Sequence, residues 1–289
     1  MVPFIFLFLL GIGLTVATYR DLQIKEVPDT ISYGLITIGL LGGLLHALLE
    51  TQTSILLEHI YGLLIGLAIG IFMFYTRQWG GGDAKLIIGV GAILGFSLTN
   101  LALLEFLLLL ILLGALYGMV MTFYLALIKH RKQFLLAFKA HIRTKQVHRL
   151  RITLVLTGIV GVLFLLFVNF QLKVIIGFTL LSLYILTYSW IFMKTVEQSI
   201  MLKTYSVNKL TEGDWIAQDV KIGKKLLISE KNTGVTLEQI AALKKSGVKT
   251  VLVKEGIAFV PGFMLAYIVQ LILLFTVGEE LFVKLFVFV

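Results

Sequence analysis

Long apolar runs dominate this sequence and restrict what it can fold into. Eight runs, each separated from the next by charged or turn-forming residues, fall at about 3–19, 30–49, 56–76, 85–98, 101–128, 152–168, 173–193 and 258–277. One helical crossing of a hydrocarbon core about 30 Å thick takes roughly 20 apolar residues. The chain is also 58% hydrophobic and only 14% charged, whereas soluble domains carry about 25% charged residues. The sequence therefore predicts a polytopic α-helical membrane protein with about eight transmembrane helices.

One boundary between these runs depends on a single polar interruption. Residues 85–128 form an apolar stretch too long for one crossing, and Ser97-Leu98-Thr99-Asn100 interrupts it. We therefore expect one helix to end before this tetrapeptide and another to begin after it.

The positive charges predict the orientation of the helices. Of the 25 Lys and Arg residues, 23 lie in the segments 20–29, 77–85, 129–151 and 194–257, which leaves Lys173 and Lys284 for the other side. Because Lys and Arg accumulate in cytoplasmic loops, these four segments are expected in the cytoplasm and both termini outside. The same distribution explains the net charge of +9 without a nucleic-acid partner.

The predicted organisation has five parts. They are a membrane core of five helices (1–128), a basic cytoplasmic interfacial loop (129–151), two further transmembrane helices (152–193), a small cytoplasmic α+β domain (194–257), and the final helix with the C-terminus (258–289). The interfacial loop has eight Lys and Arg, no acid and interleaved Phe and Leu, which favours contact with anionic lipid headgroups. In the α+β domain, strand-like runs at 215–220, 225–229 and 249–254 flank a helix over 237–245 that Thr236 is placed to cap.

Small residues at four-residue spacing predict close helix packing. They are Gly62, Gly66 and Gly70 in the third run, and Gly114 with Gly118 in the fifth. Residues without bulk let two helix backbones approach each other in lipid. No chemistry is inferred from them.

Acidic residues at the ends of the spans are the candidates for chemistry. The chain has no Cys, which excludes a cysteine nucleophile, thiolate metal sites and disulfides. Asp21 follows the first run and Asp83 precedes the fourth, both on the predicted cytoplasmic side. Two neighbouring carboxylates cannot both ionise easily, so one keeps a proton while the other accepts one from water. This pairing is the chemistry of an aspartyl protease; Asp29 is the rival to Asp21, although its place before the second span favours a helix cap.

Two motifs in this region resemble those of a known family. Asp21 is followed after six residues by Pro28-Asp29, and Asp83 lies within Trp79-Gly80-Gly81-Gly82-Asp83-Ala84-Lys85-Leu86. In order and spacing they resemble the type IV prepilin peptidases, which are GxGD-type intramembrane aspartyl proteases, and the α+β domain with the last span looks like the archaeal preflagellin and prepilin peptidase branch. The resemblance covers residues 1–128 as the catalytic core.

The resemblance implies an activity and roles for the motif residues. Asp21 and Asp83 would be the catalytic pair, with Gly80, Gly82 and Lys85 completing the motif and no metal or cofactor needed. The substrate would be a prepilin-like or preflagellin-like membrane protein, whose short basic leader (class III signal peptide) is removed at the cytoplasmic face. Glu26 and Asp29 are candidates for attracting that basic leader.

Two other classes of protein are weighed against the protease. Glu105 inside the fifth run, and Glu58-His59 in the third, suggest a proton-coupled transporter, because ionisable groups at membrane depth often line proton pathways. A non-catalytic assembly scaffold is the second rival, but it leaves the GxGD pattern without a use. His130, His141 and His148 lack metal-ligand spacing, so no metal site is assigned.

Overall fold

The computed structural model describes residues 3–222 and 225–276 and is mainly helical over these ranges. The helices are α1 (Phe4–Ile24), α2 (Asp29–Leu49), α3 (Thr53–Tyr75), α4 (Gly81–Leu94), α5 (Ala102–Tyr124), α6 (Arg131–Ile142), α7 (Lys145–Phe164), α8 (Phe170–Val196), α9 (Leu237–Lys245) and α10 (Val260–Thr276). The strands are β1 (Leu202–Ser206), β2 (Val220–Ile222), β3 (Lys225–Ile228) and β4 (Thr250–Lys254). Each of the eight apolar runs thus forms a helix.

Within the described ranges, six helices are long and apolar enough to cross a membrane. They are α1, α2, α3, α5, α7 and α8. Helix α5 continues through a π-helical turn to Lys129, and α8 continues through a similar turn to Met201. The other two expected crossings are shorter, since α4 has 14 residues and α10 has 17. A helix of 14 residues is about 21 Å long, which is less than the hydrocarbon core. The termini expected outside include residues 1–2 and 277–289, which lie outside the described residues.

Helices α1 to α5 and α10 share one apolar core. Its fully buried side chains include Leu10, Leu14, Leu86, Phe106 and Phe263, from four different helices. The final helix α10 packs against both α1 and α5, and the Tyr267 hydroxyl donates a 2.7 Å hydrogen bond to the Leu7 carbonyl. The last described helix of the chain is therefore part of the same bundle as the first.

Glycines bring α3 and α4 into backbone contact. A Cβ atom added at Gly62 would lie 2.1 Å from the Gly91 carbonyl oxygen, and one at Gly66 would lie 2.7 Å from that of Ile87. At Gly70 the corresponding distance to the Ala84 carbonyl oxygen is 2.6 Å. The packing role predicted for these three glycines is confirmed. Gly114 likewise faces the Phe259 ring, but the prediction for Gly118 is wrong, because a Cβ there would meet nothing within 4 Å.

The segment after α4 closes the far end of the α3–α4 pair. Helix α4 ends at Leu94 and α5 begins at Ala102, so the expected break at Ser97–Asn100 is confirmed. The Phe96 N–H donates to the Glu58 carbonyl at 2.9 Å. Ser97 Oγ and Asn100 Nδ2 donate to the Glu58 carboxylate at 3.0 and 3.2 Å. Glu58, considered above for proton transport, therefore holds this loop to α3.

Residues 202–254 form a compact α/β module with its own apolar core. Strands β1 and β4 pair antiparallel, as do β2 and β3, and α9 has the predicted bounds and the predicted Thr236 cap. Buried Ile228, Leu243 and Val251 join the strands and the helix. Two details differ from expectation: β1 was not predicted, and the run 215–220 is not a strand but contributes one bridge, from Ile216 to Val253, before β2 begins.

The basic segment 129–151 is largely helical. Helix α6 buries Phe134, whose ring packs 5.2 Å from that of Phe192 in α8. Helix α7 begins at Lys145 and so takes in the end of the segment. Helices α7 and α8 expose most of their apolar side chains, as expected of surfaces that face lipid.

Candidate active site

Asp21 lies in the last turn of α1 and is buried, with 5% of its surface exposed. Its Oδ2 accepts a 2.8 Å hydrogen bond from the Val260 backbone N–H. Val260 is the first residue of α10, and the first N–H groups of a helix have no partner within that helix. The positive end of the helix dipole also lies there. The N-terminus of α10 is thus a binding site for the Asp21 carboxylate.

Asp83 lies in the first turn of α4, where it caps its own helix. The Gly80 N–H donates to Asp83 Oδ2 at 3.3 Å. Because this bond is long, it restrains the carboxylate only weakly. Asp83 as a whole residue is half-buried.

The two motifs pack against each other. A Cβ atom added at Gly82 would lie 3.1 Å from Val27 Cβ, so the loop after α1 rests on the glycine segment before Asp83. The Asp21 and Asp83 carboxylates interact electrostatically. The structure therefore brings the two sequence-predicted aspartates to the same end of the bundle.

An aromatic group connects the glycine motif to α10. The buried Trp79 ring lies 5.9 Å from Phe259 and 5.4 Å from Phe263, measured between ring centroids. Trp79 directly precedes Gly80, and Phe259 directly precedes Val260. The segment at the start of α10 thus contacts both aspartate motifs.

The other motif residues have separate roles. Lys85 forms a 2.7 Å ion pair with Asp29 and so joins the two motifs at the surface. The expectation that Asp29 caps α2 is wrong: Pro28 holds the cap position, Asp29 is the first helical residue, and its carboxylate makes no capping bond. The helix begins one residue too early for Asp29 to be the cap, and its carboxylate binds the ammonium group of Lys85 instead. Glu26 is exposed.

Three contributors to the site were not found from the sequence. The Val260 N–H is a backbone group and has no sequence signature. Tyr117, on α5, interacts electrostatically with Asp21, and its buried hydroxyl has no hydrogen-bond partner among residues 3–222 and 225–276. Lys25, which ends the α1 turn, forms a 2.9 Å ion pair with Glu255 of the α/β module's exit segment.

His59, a candidate from the transporter interpretation, serves packing. His59 is buried, and its Nδ1 lies 2.7 Å from the Ala92 carbonyl oxygen, within the α3–α4 contact. In the part of the chain that the structure describes, no group of three or more His, Asp and Glu side chains converges as metal ligands would.

Comparison with known proteins agrees with this geometry. The model of the type IV leader peptidase family matches residues 8–123, which contain both aspartate motifs. The preflagellin peptidase of Methanococcus maripaludis is 34% identical over 83 residues, covering 29% of this chain and 36% of the relative. That of Methanocaldococcus jannaschii is 32% identical over 88 residues, covering 30% and 37%. The chain thus spans little more than a third of the length of these relatives, and no solved structure gives a significant match.

Proposed function

We propose that this chain, whose residues 8–123 match the type IV leader peptidase family, is a membrane aspartic endopeptidase. Its substrates would be prepilin-like or preflagellin-like subunits, from which it removes the short basic leader. The observation that carries the proposal is the meeting of Asp21 and Asp83, from the two motifs, at one end of the helix bundle. The archaeal preflagellin peptidases among its relatives support the substrate class.

The hydrogen bonds of the two carboxylates suggest different roles for them. Asp21 accepts a short bond from the Val260 N–H at the positive end of α10, and a donor to a carboxylate favours its ionised form. Asp83 accepts only the longer bond from Gly80. Since two adjacent carboxylates tend to share one proton, Asp21 is assigned as the base and Asp83 as the protonated acid.

The reaction follows from these roles. Asp21 takes a proton from a water molecule, whose oxygen attacks the carbonyl carbon of the scissile peptide bond. Asp83 gives its proton to the carbonyl oxygen, which forms a tetrahedral intermediate. When the intermediate collapses, the carbonyl re-forms and returns that proton to Asp83, while the C–N bond breaks and the leaving amine takes the proton held by Asp21. Both carboxyl groups thus regain their starting states.

The glycine segment leaves room for an extended substrate beside Asp83. A Cβ atom added at Gly80 would meet only the Asp83 carboxylate, at 3.7 Å. A substrate backbone can therefore approach this carboxylate closely, which a side chain at position 80 would obstruct. Exposed Glu26 lies beside the site, where its charge would attract a basic leader.

The charge distribution supports the orientation that this function needs. With α4 and α10 completing eight crossings, the segments 20–29, 77–85, 129–151 and 194–257 face the cytoplasm and both termini lie outside. The active site then faces the side where a basic leader is held. Helix α6, with exposed Arg131 and Lys132 at its start, would lie against anionic lipid headgroups.

The proposal is tested by co-expression with a tagged prepilin-like substrate, followed by the gel shift that loss of the leader produces. Wild type, Asp21→Asn, Asp83→Asn and Asp29→Asn are compared at equal membrane levels. Wild type should cleave, and Asp29→Asn should still cleave at a reduced rate because Asp29 supplies charge but no proton, whereas the other two should not cleave. Cleavage by either Asp21→Asn or Asp83→Asn would contradict the assignment, and no cleavage by wild type would contradict the substrate class.

A further inference from the structure

The two loops that carry the aspartates share an unusual backbone feature. Lys25, which follows Asp21, has φ 56°, and Arg77, which precedes Asp83, has φ 59°. Residues with a Cβ atom enter this left-handed region at a cost of about 1–2 kcal/mol, and Gly is the usual choice there. The third such residue in the described ranges, Thr51, lies in the turn between α2 and α3. Both aspartate loops therefore have a residue with a side chain at a position where glycine would relieve backbone strain.

Both side chains bind the α/β module or its exit segment. Lys25 Nζ lies 2.9 Å from the Glu255 carboxylate and donates to the Gly256 carbonyl at 3.0 Å. Arg77 Nη2 donates to the Asn232 carbonyl at 3.0 Å. The Asn232 carbonyl is in the turn after β3, and Glu255 directly follows β4. Two separate parts of the module region thus hold two separate loops of the membrane core.

The Lys25 contact lies next to the catalytic hydrogen bond. The Lys25 N–H donates to the Asp21 carbonyl at 2.8 Å, which closes the last turn of α1. On the opposite side, the chain runs from Glu255 through Phe259 to Val260, whose N–H binds Asp21. The Lys25–Glu255 pair and the Asp21–Val260 bond therefore tie the same two segments together at two points.

Electrostatic interactions favour the Lys25–Glu255 ion pair. Burial alone would raise the pKa of Glu255, but hydrogen bonds and charges from Lys203 and Lys25 outweigh it and leave the pKa lowered. Hydrogen bonds between charged partners are stronger than neutral ones, which favours a fixed geometry. Lys203 binds Glu255 from within the module, whereas Lys25 reaches it from the membrane core.

We propose that Lys25 and Arg77 are positioning residues through which the α/β module holds the two aspartate loops in place for catalysis. The inference rests on the proposed protease function and gives the module a part in it. The two residues act through Asp21 and Asp83 and do not contact the reacting atoms.

The matched pair Lys25→Met and Lys203→Met tests the Lys25 contact. Each variant removes one cation from Glu255, but only Lys25→Met separates the module from the α1 loop. In the purified full-length protein, Lys25→Met should lower kcat about tenfold by misplacing Asp21, while KM stays within about twofold. Lys203→Met should stay within about twofold of wild type in both constants, and Lys25→Arg should regain most of the lost kcat.

The outcomes separate the two proposals. If wild type cleaves and Lys25→Met does so equally fast, the positioning role is overturned while the protease function stands. If Lys203→Met loses as much kcat as Lys25→Met, the loss reflects the fold of the module, and the positioning role is again overturned. If wild type does not cleave, the proposed function fails and this inference fails with it.

A thiol reporter tests the Arg77 contact independently of activity. Because the chain has no Cys, Asn232→Cys introduces a unique thiol, and the backbone carbonyl that Arg77 binds is kept. Adding Arg77→Met should release the turn that contains position 232, which is half-buried, and so speed its maleimide labelling several-fold. Adding Arg77→Lys should leave the labelling rate near that of Asn232→Cys alone. Equal labelling rates with Arg, Met and Lys at position 77 would show that the Arg77 contact does not hold this turn.

Discussion

The Val260 backbone N–H donates a 2.8 Å hydrogen bond to the Asp21 carboxylate, although the two residues are 239 positions apart in the chain. The donor is the first residue of the last described helix, and the acceptor is in the last turn of the first. A site made from motifs near the start of the sequence is thus completed by a helix near its end. This makes the amide of residue 260 a direct target for mutation.

Val260→Pro should remove this donor while keeping the helix start, since proline is tolerated at the first helical position. Hydrogen bonds to charged groups contribute about 1.5–3 kcal/mol, so kcat should fall at least about tenfold. Val260→Ala is the control, because it keeps the N–H but loses buried side-chain contacts. It should lower the thermal unfolding midpoint and retain most of kcat. Equal kcat in the two variants would show that the N–H does not support catalysis.

Gly62→Ala should destabilise the bundle, because its Cβ would lie 2.1 Å from the Gly91 carbonyl oxygen on a helix that cannot yield locally. Overpacking of this kind costs about 1–3 kcal/mol. Gly118→Ala is the matched control in α5: nothing lies within 4 Å, and alanine in a helix should stabilise by about 0.5–1 kcal/mol. Thermal unfolding in detergent measures both. The packing argument would be wrong if both changes shifted the midpoint in the same direction.

The Lys85–Asp29 pair should act as one unit. Both side chains are substantially exposed, at 38% and 56%, so the pair itself contributes little to stability, about 0–1 kcal/mol. If its role is to join the two motifs, Lys85→Met and Asp29→Asn should lower cleavage to a similar extent, and the double variant should lower it no further. Cleavage rates of the four proteins form a double-mutant cycle. Additive losses would indicate that the two residues act separately.

Glu255 should make the docking of the module depend on pH. Its folded-state pKa is lowered from the ordinary value of 4.5, so its stabilising contribution is present above that value and is lost as pH falls through the folded pKa. Unfolding midpoints of wild type and Glu255→Gln should therefore differ near pH 7 and converge as the pH falls through the lowered pKa of folded Glu255. Glu212→Gln, a change at an exposed acid of the same module, serves as the control and should leave the midpoint near that of wild type at neutral pH. A difference between wild type and Glu255→Gln that does not shrink on acidification would exclude the ion pairs as its source.

Local signals in the sequence were enough for several parts of the structure. The cap at Thr236 and the bounds of α9 depend on residues a few positions apart, as do the helix break near Ser97 and the glycine contacts of α3. Strand β1 was missed because its partner β4 is far along the chain and its own five residues have a weak pattern. Strands of this length depend on their partners more than on their own sequence.

The same limit applies to the candidate site. The two aspartates are recognisable because carboxylates at span ends are rare and chemically specific. The contacts that support these aspartates cannot be recognised in the sequence. The donor from Val260 and the acceptors at Gly256 and Asn232 are backbone groups, which do not depend on the residue type. For Asp29 the sequence suggested a cap, but a side chain 56 residues away binds its carboxylate instead.

The late position of α10 also determines when the candidate site can be completed during synthesis. A ribosome that has released Asp21 and Asp83 into the membrane must still translate the module and residue 260 before the amide that holds Asp21 exists. A nascent chain, or a product truncated before α10, therefore carries both aspartate motifs but lacks the donor that fixes the first aspartate. Under the proposed function, substrate subunits inserted alongside it would therefore meet an active protease only after the last helix has entered the bundle.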